Sequence, residues 1–505
     1  MILLYFFFPF ILFFFPIVEG SFFGGFRRLK VNRNDRWLSR LRAGAENADT
    51  SSASLNILFL MDSFCSYHGG YLAACAQDIP NTIVIPVLSD YLADYCQAND
   101  PDDADQWEAM RVHHWQERLQ EFTATQIGAT ERIAVYCESD SGLADAEMLR
   151  QQLVSQGRNV LHDNPIESEA RRNKYLMQQC LQETTSLPTV RQRLCHSLNE
   201  ALDFFEKEGR VVVKPHRGVA SESVQLCQTR QQVEQAWHDI TSSFVFGARQ
   251  QQHTTVVVQE WLQGTEYAVD VVSRNGQHKV AAIWRYDKRP ANGAAFCYFQ
   301  TKLVDAAADE HVTAVCDYVI STLNTLGVQW GLSHNEVIVR SDTLQPTLVE
   351  VNCRQHNMDF APLTMACIRY NAFQMLLDAY FGGDDEWDRY PELPTLQAHG
   401  CMVHLVNYAR GSLVQVHHLE DMAALPSVLD LEVYAEFQTP STWLEPTIDI
   451  RTDAGWVQLI NEDPEALQHD YEQIVAWMPK MFSVSADDSK VKNQLHRMHL
   501  GIRDK

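Results

Sequence analysis

The chain lacks a basic stripe: its 505 residues carry a formal net charge of −24, and no run of Lys or Arg offsets it in the body of the sequence. Such a surface repels a phosphate backbone, which disfavours nucleic acid as a partner. It does not disfavour a single nucleotide, whose phosphates are held by a few lysines, backbone N–H groups and a metal rather than by net charge. Long low-complexity tracts and fixed-period repeats are also missing, so neither a disordered binding chain nor a solenoid is expected. Twelve cysteines are present, yet none stands at zinc-ligand spacing, in a compact disulfide framework or in a Cys–His nucleophile arrangement. Cys65, Cys75, Cys137, Cys227, Cys316 and Cys367 fall in apolar segments and read as reduced core residues, which favours an interior compartment.

The length exceeds the roughly 100–200 residues of one domain, so several units are expected. Residues 1–20 are apolar and Phe-rich, and Met1–Val18 comes close to the roughly 20 residues of a spanning helix. Seven basic residues between Arg27 and Arg42 are opposed only by Asp35, a flank that stays on the cytoplasmic side. The expectation is membrane attachment through residues 1–18 with the enzyme in the cytoplasm. The alternative is a secretory or organelle-targeting peptide cleaved near Gly20. Residues 21–54 turn basic, then small and polar, and read as a linker.

From Leu55 on, short β-branched runs at 55–61, 81–88 and 132–137 alternate with helical stretches, the pattern of a parallel α/β layer over 55–165. Residues 166–380 mix strands (210–214, 254–259, 267–273, 331–340, 347–352) with helices near 173–182, 197–207 and 230–240. Beyond Pro391, strands within 399–411, at 431–436 and at 455–460, and a helix over 464–478, give an α+β part spanning 391–505. The fold class is α/β plus α+β.

Three segments carry chemistry. In VVVKPHRGVASESV a strand delivers Lys214 to a loop of small residues, whose backbone an anion can approach. In QEWLQGTEYAVDVV a strand runs into a hinge whose backbone around Glu260, Trp261 and Leu262 can pair an adenine edge, with Glu266 placed for the ribose hydroxyls. GLSHNEVIV and LVEVNCR bring Glu336, Glu350 and Asn352 onto facing strands, an oxygen set suited to Mg2+, with Mn2+ as the alternative ion. Strand alternation puts Glu350, Asn352 and Arg354 on one face and Val349, Val351 and Cys353 on the other. Taken alone, each segment has a plainer reading: a solvated strand end, an ordinary strand–turn–strand, the wet side of a sheet.

Taken in order, the three resemble the ATP-grasp superfamily, in its carboxylate–amine ligase group, and look most like L-amino-acid ligases and carnosine-synthase-like enzymes. RRNKYLMQQCLQETTSLPTV is similar to the helix that carries the family's first nucleotide-binding lysine, which falls on Lys174. The resemblance implies an ATP-grasp fold with an N-terminal α/β domain and a lid at about 205–262. It assigns ATP to Lys174, Lys214, Ser221, Glu260, Trp261, Leu262 and Glu266, metal to Glu336, Glu350 and Asn352, and catalysis to Arg354 and Lys214. It implies a carboxylate and an amine as substrates, joined through an acyl-phosphate. Where the family's loop has glycines this chain has Ala220 and Ser223, which suit the loop only if their φ stays negative. Arg285, Tyr286 and Lys288, in IWRYDKRPANG, and His334 are the substrate candidates, with IWRYDKRPANG read as a loop. The competing function is a regulatory module that binds ATP without turning it over.

Overall fold

The computed structural model describes residues 55–63, 68–123, 131–218, 223–245, 248–306, 310–356 and 358–485. The expected anchor or leader, the linker, Cys65, Ala220 and Ser221 lie outside them. Among the described residues no helix is long and apolar enough to cross a membrane.

Strand β1 (Leu55–Met61) is buried at every position and pairs in parallel with β2 (Thr82–Val87) and β3 (Glu131–Cys137), in the order β2-β1-β3. Unbroken apolar strands of this kind need cover on both faces. One face packs Ile57, Phe59 and Val135 on Trp115 and Leu149. The other packs Leu58, Leu60 and Tyr136 on Phe373 and Tyr380, from the later helix Ala372–Phe381, which ties this layer to the rest of the molecule.

The next unit is an antiparallel sheet of β4 (Gln192–Cys195), β5 (Val211–Lys214) and β6 (Gln225–Cys227), followed by the hairpin β7 (Phe244–Val245) and β8 (Ala248–Gln252) and by β9 (Val256–Glu260). The sheet order is β4-β9-β5-β6. Helices Leu198–Glu208 and Arg230–Thr241 bury Leu202, Phe204, Val233 and Ile240 against it. The first helix is capped by Ser197 and stopped by Gly209, whose φ of 75° lets the chain turn into β5.

The remaining strands are β10 (Gly264–Arg274), β11 (Gln277–Ala291), β12 (Ala294–Leu303), β13 (Gly331–Arg340), β14 (Pro346–Asn352), β15 (His399–His404), β16 (Gly411–Val416), β17 (Val428–Val433), β18 (Trp443–Leu444), β19 (Gly455–Asn461) and β20 (Phe482–Ser485). Eight of them form one sheet, β14-β13-β10-β11-β12-β15-β19-β17, so the C-terminal part extends the central sheet. Two Asn-Gly pairs make its long hairpins: Asn275 and Gly276 (φ 49° and 78°) join β10 to β11, and Asn292 and Gly293 (φ 52° and 85°) join β11 to β12. Positive φ at both turn residues matches the right-handed twist of the flanking strands. IWRYDKRPANG is therefore not a loop but most of β11 and its turn, a correction to the sequence expectation.

The alternation of this sheet builds the site. On one face Tyr267, Val269, Val271, Ile283, Val337 and Val339 pack on the helices Lys174–Thr184 and Glu310–Thr325. The residues between them on the central strands point to the opposite face, and there Glu266, Tyr286, Lys288, His334, Glu336 and Ile338 line the principal cavity.

Candidate active site

The cavity lies between the four-stranded sheet and this face, with a volume of about 1340 Å³ including its open mouth. Lys174, Lys214, Glu260, Trp261, Leu262, Glu266, Lys288, His334, Glu336, Glu350, Asn352 and Arg354 all line it, although they come from segments 180 residues apart. At one end Val190, Val212, Leu262, Ile338 and Leu348 give it an apolar lining, suited to a flat ring.

Asn173 caps the helix Lys174–Thr184 by accepting from the N–H groups of Tyr175 and Leu176, which sets Lys174 at the helix start, its N–H donating to the His216 carbonyl after β5. Its Nζ is 2.8 Å from Glu350 Oε2 and donates to the carbonyl of Gly218 at 3.0 Å. Lys214, last in β5, is buried. Burial and the charge of Lys174 push its pKa down to about 8. Glu336 and Glu350 are register partners across β13 and β14, as are His334 and Asn352. Two carboxylates and an amide thus meet at one edge of the cavity, and the Lys174 ammonium already marks that edge as cation-binding. Burial works against the Glu336 charge, but His334, Lys288 and Lys174 outweigh it and hold this carboxyl well below the usual range. A hard divalent ion fits this donor set.

The hinge divides its labour between side chain and backbone. The Glu260 carboxylate is buried, accepting from the Arg191 N–H at 2.9 Å and facing Arg191 Nη2 at 2.7 Å and Arg340 Nη1 at 3.3 Å. The Glu260 side chain therefore anchors the hinge, and the backbone of 260–262 is what remains for a base edge. Trp261 lies beneath the Arg210 guanidinium, 5.4 Å from ring centre to Cζ.

Glu266 is engaged by Lys288, whose Nζ donates to Oε1 at 2.6 Å and sits 4.7 and 4.4 Å from the ring centres of Tyr286 and Tyr298. Burial raises the Glu266 pKa. Burial opposes the Lys288 ammonium too, but Glu266, Tyr298 and Glu336 lift its pKa above the ordinary lysine range. Arg354 is held from the N-terminal layer: Nε and Nη2 donate to the two Asp140 oxygens at 2.6 Å each, and Nη1 donates to the Gln355 carbonyl at 2.8 Å.

Two sequence expectations are corrected. Arg285 does not line the cavity: alternation along β11 turns it to the exposed face, opposite Tyr286 and Lys288. Ser223 does not keep a negative φ; at +55° it takes the left-handed conformation that its glycine counterpart adopts freely, at a cost of about 1 kcal/mol. Asp140, Asp270 and His356 were missed. Asp270 is an acid set among the valines of β10, a signal of a buried charge with a partner.

The comparisons agree with this geometry. Residues 208–360 match the ATP-grasp domain model. The chain is 24% identical over 363 residues to dapdiamide A synthase of Enterobacter agglomerans, covering 71% of this chain and 80% of that one. In fold it is similar to L-amino acid ligase from Bacillus licheniformis (TM-score 0.60, 15% identity, 84% of this chain and 97% of that one). It is also similar to N5-carboxyaminoimidazole synthase from Aspergillus clavatus in complex with ADP and 5-aminoimidazole ribonucleotide (TM-score 0.56, 12% identity, 84% and 98%). With the lysines, hinge and paired carboxylates gathered in one cavity, residues 208–360 form an ATP-grasp domain, and the chain is an ATP-dependent carboxylate–amine ligase.

Proposed function

We propose that the chain joins an amino-acid carboxylate to an amine, itself supplied by an amino acid, through an acyl-phosphate, releasing ADP and phosphate. The observation that carries this reading is the convergence of Lys174, Lys214, Glu336, Glu350, Asn352 and Arg354 on one cavity that Tyr286, Tyr298 and Phe360 also line. L-amino acid ligase, by its name, joins L-amino acids, and dapdiamide A synthase, by its name, makes dapdiamide A. A module that only bound ATP would tolerate drift in Glu336, Glu350, Asn352 and Arg354, and all four are in place around the cavity.

In the first step a substrate carboxylate oxygen attacks the γ-phosphorus and ADP leaves. In the second the amine nitrogen attacks the acyl carbon, phosphate leaves, and the nitrogen gives up a proton. Adenine occupies the apolar end against Leu262, its edge on the backbone of 260–262. Ribose hydroxyls compete with Lys288 for Glu266. Lys174 and Lys214 hold the phosphates, and Arg354 faces the oxygens on which charge develops, where its Asp140 partner is the group an oxyanion displaces. Mg2+, held by Glu336, Glu350 and Asn352, would neutralise phosphate oxygens when bound. Amine-dependent ADP release over a panel of amino-acid pairs tests the reading, and ATP binding without turnover by any pair would favour the regulatory module.

A pH dependence follows from Lys214. Its folded pKa of about 8 lies below the ordinary 10.5, so the ligand-free protein loses this charge as pH rises through 8, and bound phosphates should restore it. ATP binding should take up a proton near pH 8.5, and affinity should fall as pH rises further. The linked stability term has the opposite sense: it is fully present above 10.5 and lost as pH falls through 8, because the unfolded chain holds this proton more tightly. Calorimetry in two buffers of different ionisation enthalpy measures the uptake. Equal apparent enthalpies in both, or an uptake unchanged in Lys214→Met, would contradict the assignment.

A further inference from the structure

Beside Glu336 lies a buried group, Asp270, His334 and His356, whose arrangement the ligase reading does not account for. Asp270 on β10 is the register partner of His334 on β13, and His356 folds over both from the segment after β14. His334 Nδ1 is 2.8 Å from Asp270 Oδ1, and His356 Nδ1 is 3.5 Å from Asp270 Oδ2. The opposite ring nitrogens share one partner: Tyr286 Oη is 3.3 Å from His334 Nε2 and 3.0 Å from His356 Nε2. The imidazoles therefore lie side by side, 4.0 Å between centres and 27° apart, both Nδ1 atoms toward Asp270 and both Nε2 atoms toward Tyr286. All three side chains are more than nine-tenths buried.

Hydrogen bonding does not complete this arrangement: His356 Nδ1 is buried without a well-formed hydrogen bond, and Asp270 Oδ2 stands 3.5 Å from it, at the limit of reach. We propose that Asp270, His334 and His356 form a second cation site, distinct from the Glu336–Glu350 edge, that binds one transition-metal ion of the Zn2+ class through a carboxylate oxygen and two Nδ1 atoms. The ligating atoms lie within 4.8 Å of one another, close enough for one ion to draw them in. Two imidazoles and one carboxylate suit Zn2+, Co2+ or Fe2+, whereas the all-oxygen set at Glu336, Glu350 and Asn352 suits Mg2+.

The surroundings are those of a ligand set already oriented. With both Nδ1 atoms on the ion, each Nε2 carries its hydrogen, and Tyr286 Oη accepts from both, fixing tautomer and ring plane. The Trp284 Nε1–H donates to Asp270 Oδ2 at 2.7 Å and fixes the carboxylate. Binding an ion displaces the proton now shared between His334 and Asp270, as metal binding at histidine sites does. His334 Nε2 also stands 3.5 Å from Glu336 Oε1, so an ion here braces the strand that carries a carboxylate of the nucleotide site.

The test uses the full chain, stripped with a chelator and titrated with Co2+ in an excess of Mg2+, so that the oxygen-only edge is filled. One equivalent of Co2+ should bind with a visible ligand-field band, and Zn2+ should abolish the band. His356→Ala and Asp270→Asn should lose it, Tyr286→Phe should weaken binding about tenfold, and Glu350→Gln should leave it intact. If His356→Ala does not fold, judged by circular dichroism, His356→Gln reads the same ligand at closer size. Absence of the band from the wild-type protein, its persistence in folded His356 and Asp270 variants, or its loss in Glu350→Gln would overturn the proposal.

Discussion

Replacing Glu350 by Gln should lower turnover by roughly two to three orders of magnitude, the scale reached when one charge-stabilising group is taken from an active site. The substitution preserves shape and removes one negative charge from the edge where Glu350 faces Glu336 across β13 and β14. Lys174, 2.8 Å away, loses its ionic partner but keeps the Gly218 carbonyl, so stability should fall by only about 1–3 kcal/mol. ADP release measured beside circular dichroism separates the two effects. A folded variant that still releases ADP at near-wild-type rate would remove the carboxylate pair from the mechanism.

Arg354→Ala is expected to act twice, and the structure explains why. Turnover should drop about a hundredfold if the guanidinium faces developing oxyanion charge. The same change strands Asp140, which is 13% exposed and held bidentately by the buried Arg354, and removing one partner of a fully buried pair costs about 3–5 kcal/mol, the upper bound here. Asp140→Asn separates the roles: it weakens the strut between the N-terminal layer and β14 but leaves Arg354 charged. Its turnover should stay within about tenfold of wild type, whereas Arg354→Lys, a point charge without the planar fork, should lose most of it. ATP affinity should change little in all three, because the lysines and hinge are untouched. If Asp140→Asn costs as much turnover as Arg354→Ala, Arg354 is a structural tie and has no role in the chemistry.

The parts of the site that the sequence made legible are those written in local pattern. Alternation along EVNCR placed Glu350, Asn352 and Arg354 on one face, and all three line the cavity. The same rule turns Arg285 away from it, once the Asn292-Gly293 pair marks the segment before it as a hairpin strand. Its basic residues lie on a strand whose neighbouring positions are buried. Other features had no local signature. Asp140 meets Arg354 across 214 positions, and His356 meets Asp270 and Tyr286 only because the chain after β14 folds back over the sheet. Ser223 is a different case: the loop's departure from glycine was visible, but its positive φ belongs to the fold.

The central claim, an acyl-phosphate formed from a substrate carboxylate, is tested most directly by oxygen transfer. A carboxylate substrate labelled with oxygen-18 in both oxygens is turned over with ATP and an amine, and the released phosphate and nucleotide are analysed by mass. If the carboxylate attacks the γ-phosphorus, each amide formed leaves one labelled oxygen in inorganic phosphate, and the nucleotide is unlabelled ADP. Label recovered in AMP, or amide formed with unlabelled phosphate, would contradict it.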